Sequence, residues 1–177
     1  MRNALFTFAV LFLISGCAGK GPAVDKSAQV TVAFQSQRWG TLEPCGCQSK
    51  PYGGVDRELN ALKVIRGERE HVVYVDAGNS LVGDGAAKNP DAYEKKARAL
   101  AEMLGVNGLD ALLPGPYEYA LGTARLKAVA KDSKFPFVAT NVTEGKKEVF
   151  PASLIVNKGA LKVAILGIVS PKGKFPK

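Results

Sequence analysis

The stretch "LEPCGCQSKPYGG", residues 42–54, holds the side chains best suited to chemistry: Cys45 and Cys47, one residue apart, followed by the pair Gly53–Gly54. Three uses of such thiols are open: electron exchange, metal binding or a structural staple. Two cysteines flanking a single residue can only just reach disulfide geometry, and Gly46 between them gives the backbone the freedom to do so. The small ring that results is strained and more oxidising than a structural bridge. A staple across one residue removes almost no chain entropy from the unfolded state, so stability is a poor reason for it. Lys50, Arg57 and a helix beginning at Gly54 all favour thiolate, which makes a nucleophile near neutral pH. Two thiolates leave a zinc or copper site short of ligands unless a partner chain donates more. "GGVDR" adds an anion reading for Gly53, Gly54 and Arg57, because amides at a helix start attract negative charge. A glycine pair serving turn geometry alone is the plainer alternative.

These residues need elements to position them. "QVTVAF" (29–34), "HVVYVDAG" (71–78) and "FPFVATNV" (135–142) are near-continuous apolar runs that suit strands covered on both faces. Between them the period changes. Val55, Leu59, Leu62 and Ile65 recur at helical spacing over 54–66, with Asp56 in the first turn and Arg66 near the end, where the helix dipole favours each sign. Over 89–105, Asn89 caps, Pro90 fits the first turn, Tyr93, Ala97, Leu100 and Leu104 make one stripe, and Gly105 closes it. A third helix is expected from about 121 to 132. "SLIV-NKG-ALKVAILGIV" reads as a C-terminal β-hairpin. The alternation predicts an α/β fold, a mixed sheet with flanking helices, parallel pairs and right-handed crossovers. At 46% hydrophobic the chain can bury one core, and its length suits a single domain.

The N-terminus points to a compartment. Arg2 precedes the apolar run "ALFTFAVLFLI" and then "SGC"; the run is shorter than the roughly 20 residues a membrane-crossing helix needs, and the small Ser15 and Gly16 suit a peptidase. Residues 1–16 are therefore expected to be a secretion signal. "I-S-G-C" resembles the lipobox of bacterial lipoproteins, which implies diacylation of Cys17 and a chain held to the bacterial cell envelope, facing the periplasm or exterior; an ordinary signal peptide ending by chance at a cysteine is the alternative. Residues 17–28 read as a flexible tether and 29–177 as the folded domain. The net charge of +8 is spread along the chain, which fits a solvated basic surface against anionic lipid and excludes nucleic acid as the expected partner.

Read in order, "QSQRWGTLEP", "YGGVDR", "VDAGN", "GLDALLPGPYEYALG", "FPFVATNV" and "GALKVAILGIVSP" resemble the amino-terminal half of the metallophosphoesterase domain of the periplasmic 5′-nucleotidase (calcineurin-like) family, over about residues 30–171. The resemblance implies the first half of an α/β sandwich, incomplete at the C-terminus, with one sheet face lacking its cover so that the product aggregates or needs a partner. It also implies where two divalent metals would sit, to activate water and clamp phosphoryl oxygens. The family's first aspartate falls on Gln37, the histidine two later on Trp39, the bridging aspartate on Asn79, and the asparagine and histidine of its "GNHE" motif on Pro116 and Tyr117. Neutral amides, an indole and a proline do not replace carboxylates and imidazoles. Trp39 and Tyr117 instead offer an aromatic floor, or fill the vacated volume. Asp76, Gly78, Gly115, Glu118 and Asn141 keep family identities, which fits turn shaping and satisfaction of buried backbone groups. The lone His71 reads as a surface residue.

The "CGC" also resembles a divergent type of 5′-nucleotidase-like selenoprotein with selenocysteine at one position, which implies redox chemistry. The expectation is thus an envelope lipoprotein, no longer a phosphatase, that does thiol redox work or binds a ligand through Cys45 and Cys47. No cofactor is expected, and a redox protein or another envelope protein is the expected partner. Two alternatives stay open: an active metal-dependent phosphoesterase whose ligands lie elsewhere, and a non-catalytic envelope scaffold.

Overall fold

The computed structural model describes residues 29–47, 49 and 51–170. The expected secretion signal, Cys17, the tether and Lys50 lie outside the described residues. Strand β1 (Thr31–Gln35) leads into helix α1 (Val55–Glu68), β2 (Val72–Asp76), α2 (Pro90–Val106) and the short β3 (Ala111–Leu112). These three strands form a parallel sheet in the order β1-β2-β3, so β1 is an edge. Two further helices follow, α3 (Pro116–Tyr119) and α4 (Thr123–Asp132), then a small hairpin of β4 (Thr143–Glu144) and β5 (Lys147–Glu148). The chain closes with β6 (Ser153–Lys158) and β7 (Leu161–Leu166), paired antiparallel as a separate two-stranded sheet. Among the described residues no helix is long and apolar enough to cross a membrane.

The apolar periods place the core. On α1 Val55 and Leu62 are buried, and on α2 Ala97, Leu100, Ala101 and Leu104 are, where they meet Tyr74 of β2 and Leu126 and Val129 of α4. The start of α2 follows its punctuation: Asn89 Oδ1 accepts the Ala92 amide at 3.3 Å, and Pro90 occupies the first turn. Leu59 and Ile65 are only half-buried, so α1 shows the core a narrower stripe than its sequence suggested.

One expected strand is absent as a ladder. Residues 135–142 begin in a bend, turn at 140–141, and pair with β3 only through a parallel bridge between Leu112 and Phe137. Pro136 has no N–H to donate. The neighbouring groups are shared out: Val138 N donates to Leu112 O at 2.9 Å, Ala139 N to Pro151 O at 3.0 Å, and Thr140 N to Gly167 O at 2.7 Å. A segment bonded to three different neighbours holds loops together without counting as a strand. His71, expected at the surface, is half-buried, because the β6–β7 turn packs on it; a Cβ on Gly159 would lie 2.8 Å from its ring.

Candidate functional site

After β1 the chain makes a long excursion, 36–54, before α1 begins. Pro44 and Gly53 close its distal loop with an antiparallel bridge. Inside that bridge Cys45 N donates to Tyr52 O at 2.8 Å, and Tyr52 N donates back to Cys45 Sγ at 3.1 Å. Both Cys45 and Cys47 are exposed thiols. The Tyr52 amide lowers the Cys45 pKa most, helped by the amide and thiol of Cys47 and, last, by the Arg57 charge. Cys45, Tyr52, Gly53, Gly54 and Arg57 line one side of a cleft of about 500 Å³; Cys47 is not in its wall. Gly54 caps α1 at φ 92° with no side-chain acceptor, and the Val55 amide donates instead to Leu42 O at 3.1 Å.

The other wall is a buried polar chain. Asp76 accepts the Gln35 amide at 2.8 Å, and Arg38 donates to both Gln35 and Glu58. Glu58 also accepts the Tyr74 hydroxyl at 2.5 Å and the Asn107 amide at 3.1 Å. Burial pulls the Arg38 guanidinium down from its usual range and pushes the Tyr74 phenol up. Arg38 Nε, buried, has no hydrogen-bond partner among the described residues.

Gln37, Trp39, Asn79, Pro116 and Tyr117 come together at a second place. The excursion after β1 runs beside the loop after β2, with Gln37 N donating to Gly78 O at 2.8 Å and Trp39 N to Asn79 O at 2.9 Å. Asn79 Oδ1 accepts the Tyr117 amide at 3.2 Å, and the Trp39 and Tyr117 rings meet at 4.7 Å, tilted by 45°. A pocket of about 350 Å³ opens beside Asn79 and Pro116, walled also by Gly115 and Ile168. Gln37, Trp39 and Asn79 are the non-glycine residues with positive φ among those described, at 55°, 58° and 57°. Left-handed backbone of this kind costs free energy and collects at functional sites. Among the described residues no three of His, Cys, Asp and Glu gather to hold a metal ion.

Glu118 joins the two loops. It is fully buried, and its carboxylate accepts four amides: Asn79 and Gly115 on one oxygen, each at 2.8 Å, and Ser80 and Leu81 on the other, at 2.7 and 2.8 Å. Burial pushes its pKa up to about 7 against the pull of those donors, with the Asp76 charge adding to the rise. Asp76, also buried, accepts the Gly78 amide and the Ser80 hydroxyl at 2.8 Å each, and burial raises it as well. Gly78 and Gly115 are forced: a Cβ on Gly78 would stand 2.4 Å from Leu113 O, and one on Gly115 2.3 Å from Asn79 Oδ1. Asn141 ties the loop after the Phe137 bridge to Val169, donating and accepting at 2.8 and 2.9 Å.

The residues singled out in the sequence thus separate into a thiol cleft and a second cluster around Asn79 and Pro116, both reached from the excursion after β1. Sequence reasoning missed Arg38, Glu58, Tyr74 and Asn107. One signal was present: Glu58 lies three residues after Val55 and four before Leu62, on the inward face of α1, where a charge needs a partner.

No protein-family model matches the chain, and no curated protein matches it. Solved structures do. A 5′-nucleotidase precursor from Thermus thermophilus superposes with a TM-score of 0.66 and 22% identity, over 80% of this chain and 29% of that one. The sulfate thiohydrolase SoxB of the same organism gives 0.65 and 14%, over 81% and 36%. The calcineurin-like phosphoesterase YfkN from Bacillus subtilis gives 0.62 and 18%, over 81% and 49%. The fold is therefore that of the amino-terminal part of metallophosphoesterases of the 5′-nucleotidase and calcineurin-like kind. At these identities the likeness is one of fold, and the chain spans less than half the length of each of these proteins.

Proposed function

We propose that this chain is an envelope lipoprotein, attached through Cys17, in which a metallophosphoesterase fold has been turned to thiol exchange or ligand binding through Cys45 and Cys47. The observation that carries the reading is the Cys45 sulfur: exposed, held by the Tyr52 amide at 3.1 Å, and set in the wall of a cleft. The donor set at the former ligand positions does not fit a dinuclear centre. Gln37 and Asn79 offer neutral amides, Asn79 Oδ1 already accepts a backbone amide, and the Trp39 and Tyr117 rings pack on each other at a tilt. Without a bridging carboxylate nothing offsets the repulsion of two cations. The resemblance of "CGC" to selenocysteine-containing relatives supports redox use, with a thiol redox protein or another envelope protein as partner.

The test uses the full chain in detergent, with Cys17→Ser so that only the pair titrates. Thiol titration across redox buffers, together with metal analysis of the same preparation, is expected to show both thiols leaving as one two-electron couple and far less than one equivalent of divalent metal. Stoichiometric metal together with phosphoester cleavage that depends on it would overturn the proposal. That outcome would favour a metal-dependent phosphoesterase, the reading for which the fold likeness alone speaks. A scaffold role would instead show as a co-purified partner retained after both cysteines are replaced.

A further inference from the structure

We infer that the cleft beside Cys45 selects small anionic disulfides, with Arg57 holding the negative group while the S–S bond meets the Cys45 sulfur. The inference rests on the thiol-exchange reading and names its substrate class. Of the two thiols only Cys45 lines the cleft, so a ligand held there meets that sulfur. Its volume, about 500 Å³, suits a small molecule.

The charges in the wall set the sign. Among the described residues two cations and two carboxylates line it: Arg38, Arg57, Glu43 and Glu58. Glu58 is spent on Arg38, the Tyr74 hydroxyl and the Asn107 amide. Arg57 is exposed and donates to the Pro51 carbonyl; among the described residues no carboxylate pairs with it. Arg38, its side chain 9% exposed, is paired with Glu58, and its Nε is buried away from the cleft, so Arg57 is the cation a ligand can reach. The α1 N-terminus adds no clear positive field, because Asp56 of its first turn lies beside Gly54 and the Val55 amide already donates to Leu42 O. Glu43 is the opposing charge, at an exposed position.

The step balances without another reagent. The Cys45 thiolate attacks one sulfur of R–S–S–R′, a Cys45–S–R bond forms as the S–S bond breaks, and R′–S⁻ leaves and takes the proton that Cys45 gave up. The protein sulfur is oxidised to a mixed disulfide, and half of the small disulfide is reduced to a thiol.

The test compares oxidised glutathione, which is anionic, with cystamine, which is cationic, on the full Cys17→Ser chain. Each rate is divided by that of a free small thiol with the same disulfide. The normalised preference for the anion is expected to be roughly fivefold, the scale of one solvent-exposed charge pair. Arg57→Gln should bring the ratio close to one, and Glu43→Gln should raise it. A ratio that is near one in the parent chain, or that survives Arg57→Gln, overturns the inference while leaving thiol exchange intact. If neither disulfide oxidises Cys45, whether to a mixed disulfide or on to the Cys45–Cys47 bond, the thiol-exchange reading itself falls, and this inference falls with it.

Discussion

Glu118 shows most plainly what a single side chain does here. A carboxylate receiving four amides replaces backbone partners that two loops cannot supply for themselves. Glu118→Gln turns one oxygen into a donor that faces two N–H groups, so the variant should lose about 2–4 kcal/mol in denaturant unfolding. The pH dependence carries a sign. The folded-state pKa of about 7 lies above the ordinary 4.5, so the folded state holds the proton more tightly. Stability from this group is complete below pH 4.5 and is lost as pH rises toward and through 7, by about 3 kcal/mol in all. Asp76, raised by burial, slopes the same way. Unfolding free energies between pH 5 and 8 should therefore fall with pH in the parent and fall less in Glu118→Gln; parallel profiles would refute the assignment.

At the scale of elements, two glycines of the same region behave oppositely. Gly78, at φ 91° in the turn after β2, has Leu113 O 2.4 Å from where a Cβ would stand; Gly46, between the cysteines, has nothing within 4 Å. Gly78→Ala should cost about 2 kcal/mol or more and Gly46→Ala at most about 0.5, as thermal unfolding would show. If Gly46→Ala also destabilised strongly, the thiol loop would be more tightly packed than described. The contrast also bears on what the sequence made legible. Helices α1, α2 and α4 and the β6–β7 hairpin could be read because period and punctuation are local: Asn89, Pro90 and the Val55–Leu62 spacing announce themselves. The 135–142 segment could not, since its amides go to Leu112, Pro151 and Gly167, contacts that no local pattern encodes. Nor did any pattern announce α3, whose four residues are set by Glu118 reaching back to Gly115. The thiol pair was legible, but its partner Tyr52 was not, because the bridge between Pro44 and Gly53 alone brings that amide to the sulfur.

For the molecule as a whole, one side of the parallel sheet is open among the described residues. β1 is an edge strand, and its Val32 and Phe34 side chains are 56% and 77% exposed. An apolar edge with unpaired backbone groups invites pairing with another chain. Replacing both Val32 and Phe34 by Thr should leave stability within about 1 kcal/mol and reduce self-association in sedimentation velocity. Unchanged association would move the sticky surface to the β6–β7 hairpin, where Ile155 and Leu166 are also exposed. The carboxylate clasp between the loops after β2 and β3 constrains how the molecule can vary over time. Segments 77–82 and 113–119 grip one side chain from opposite sides, so neither can gain or lose a residue unless the other shifts in step. Among the described residues the cysteine loop is held by the Pro44–Gly53 bridge, the Cys45–Tyr52 pair and Arg57 on the Pro51 carbonyl, none of which touches the carboxylate clasp, so it can vary without disturbing that clasp.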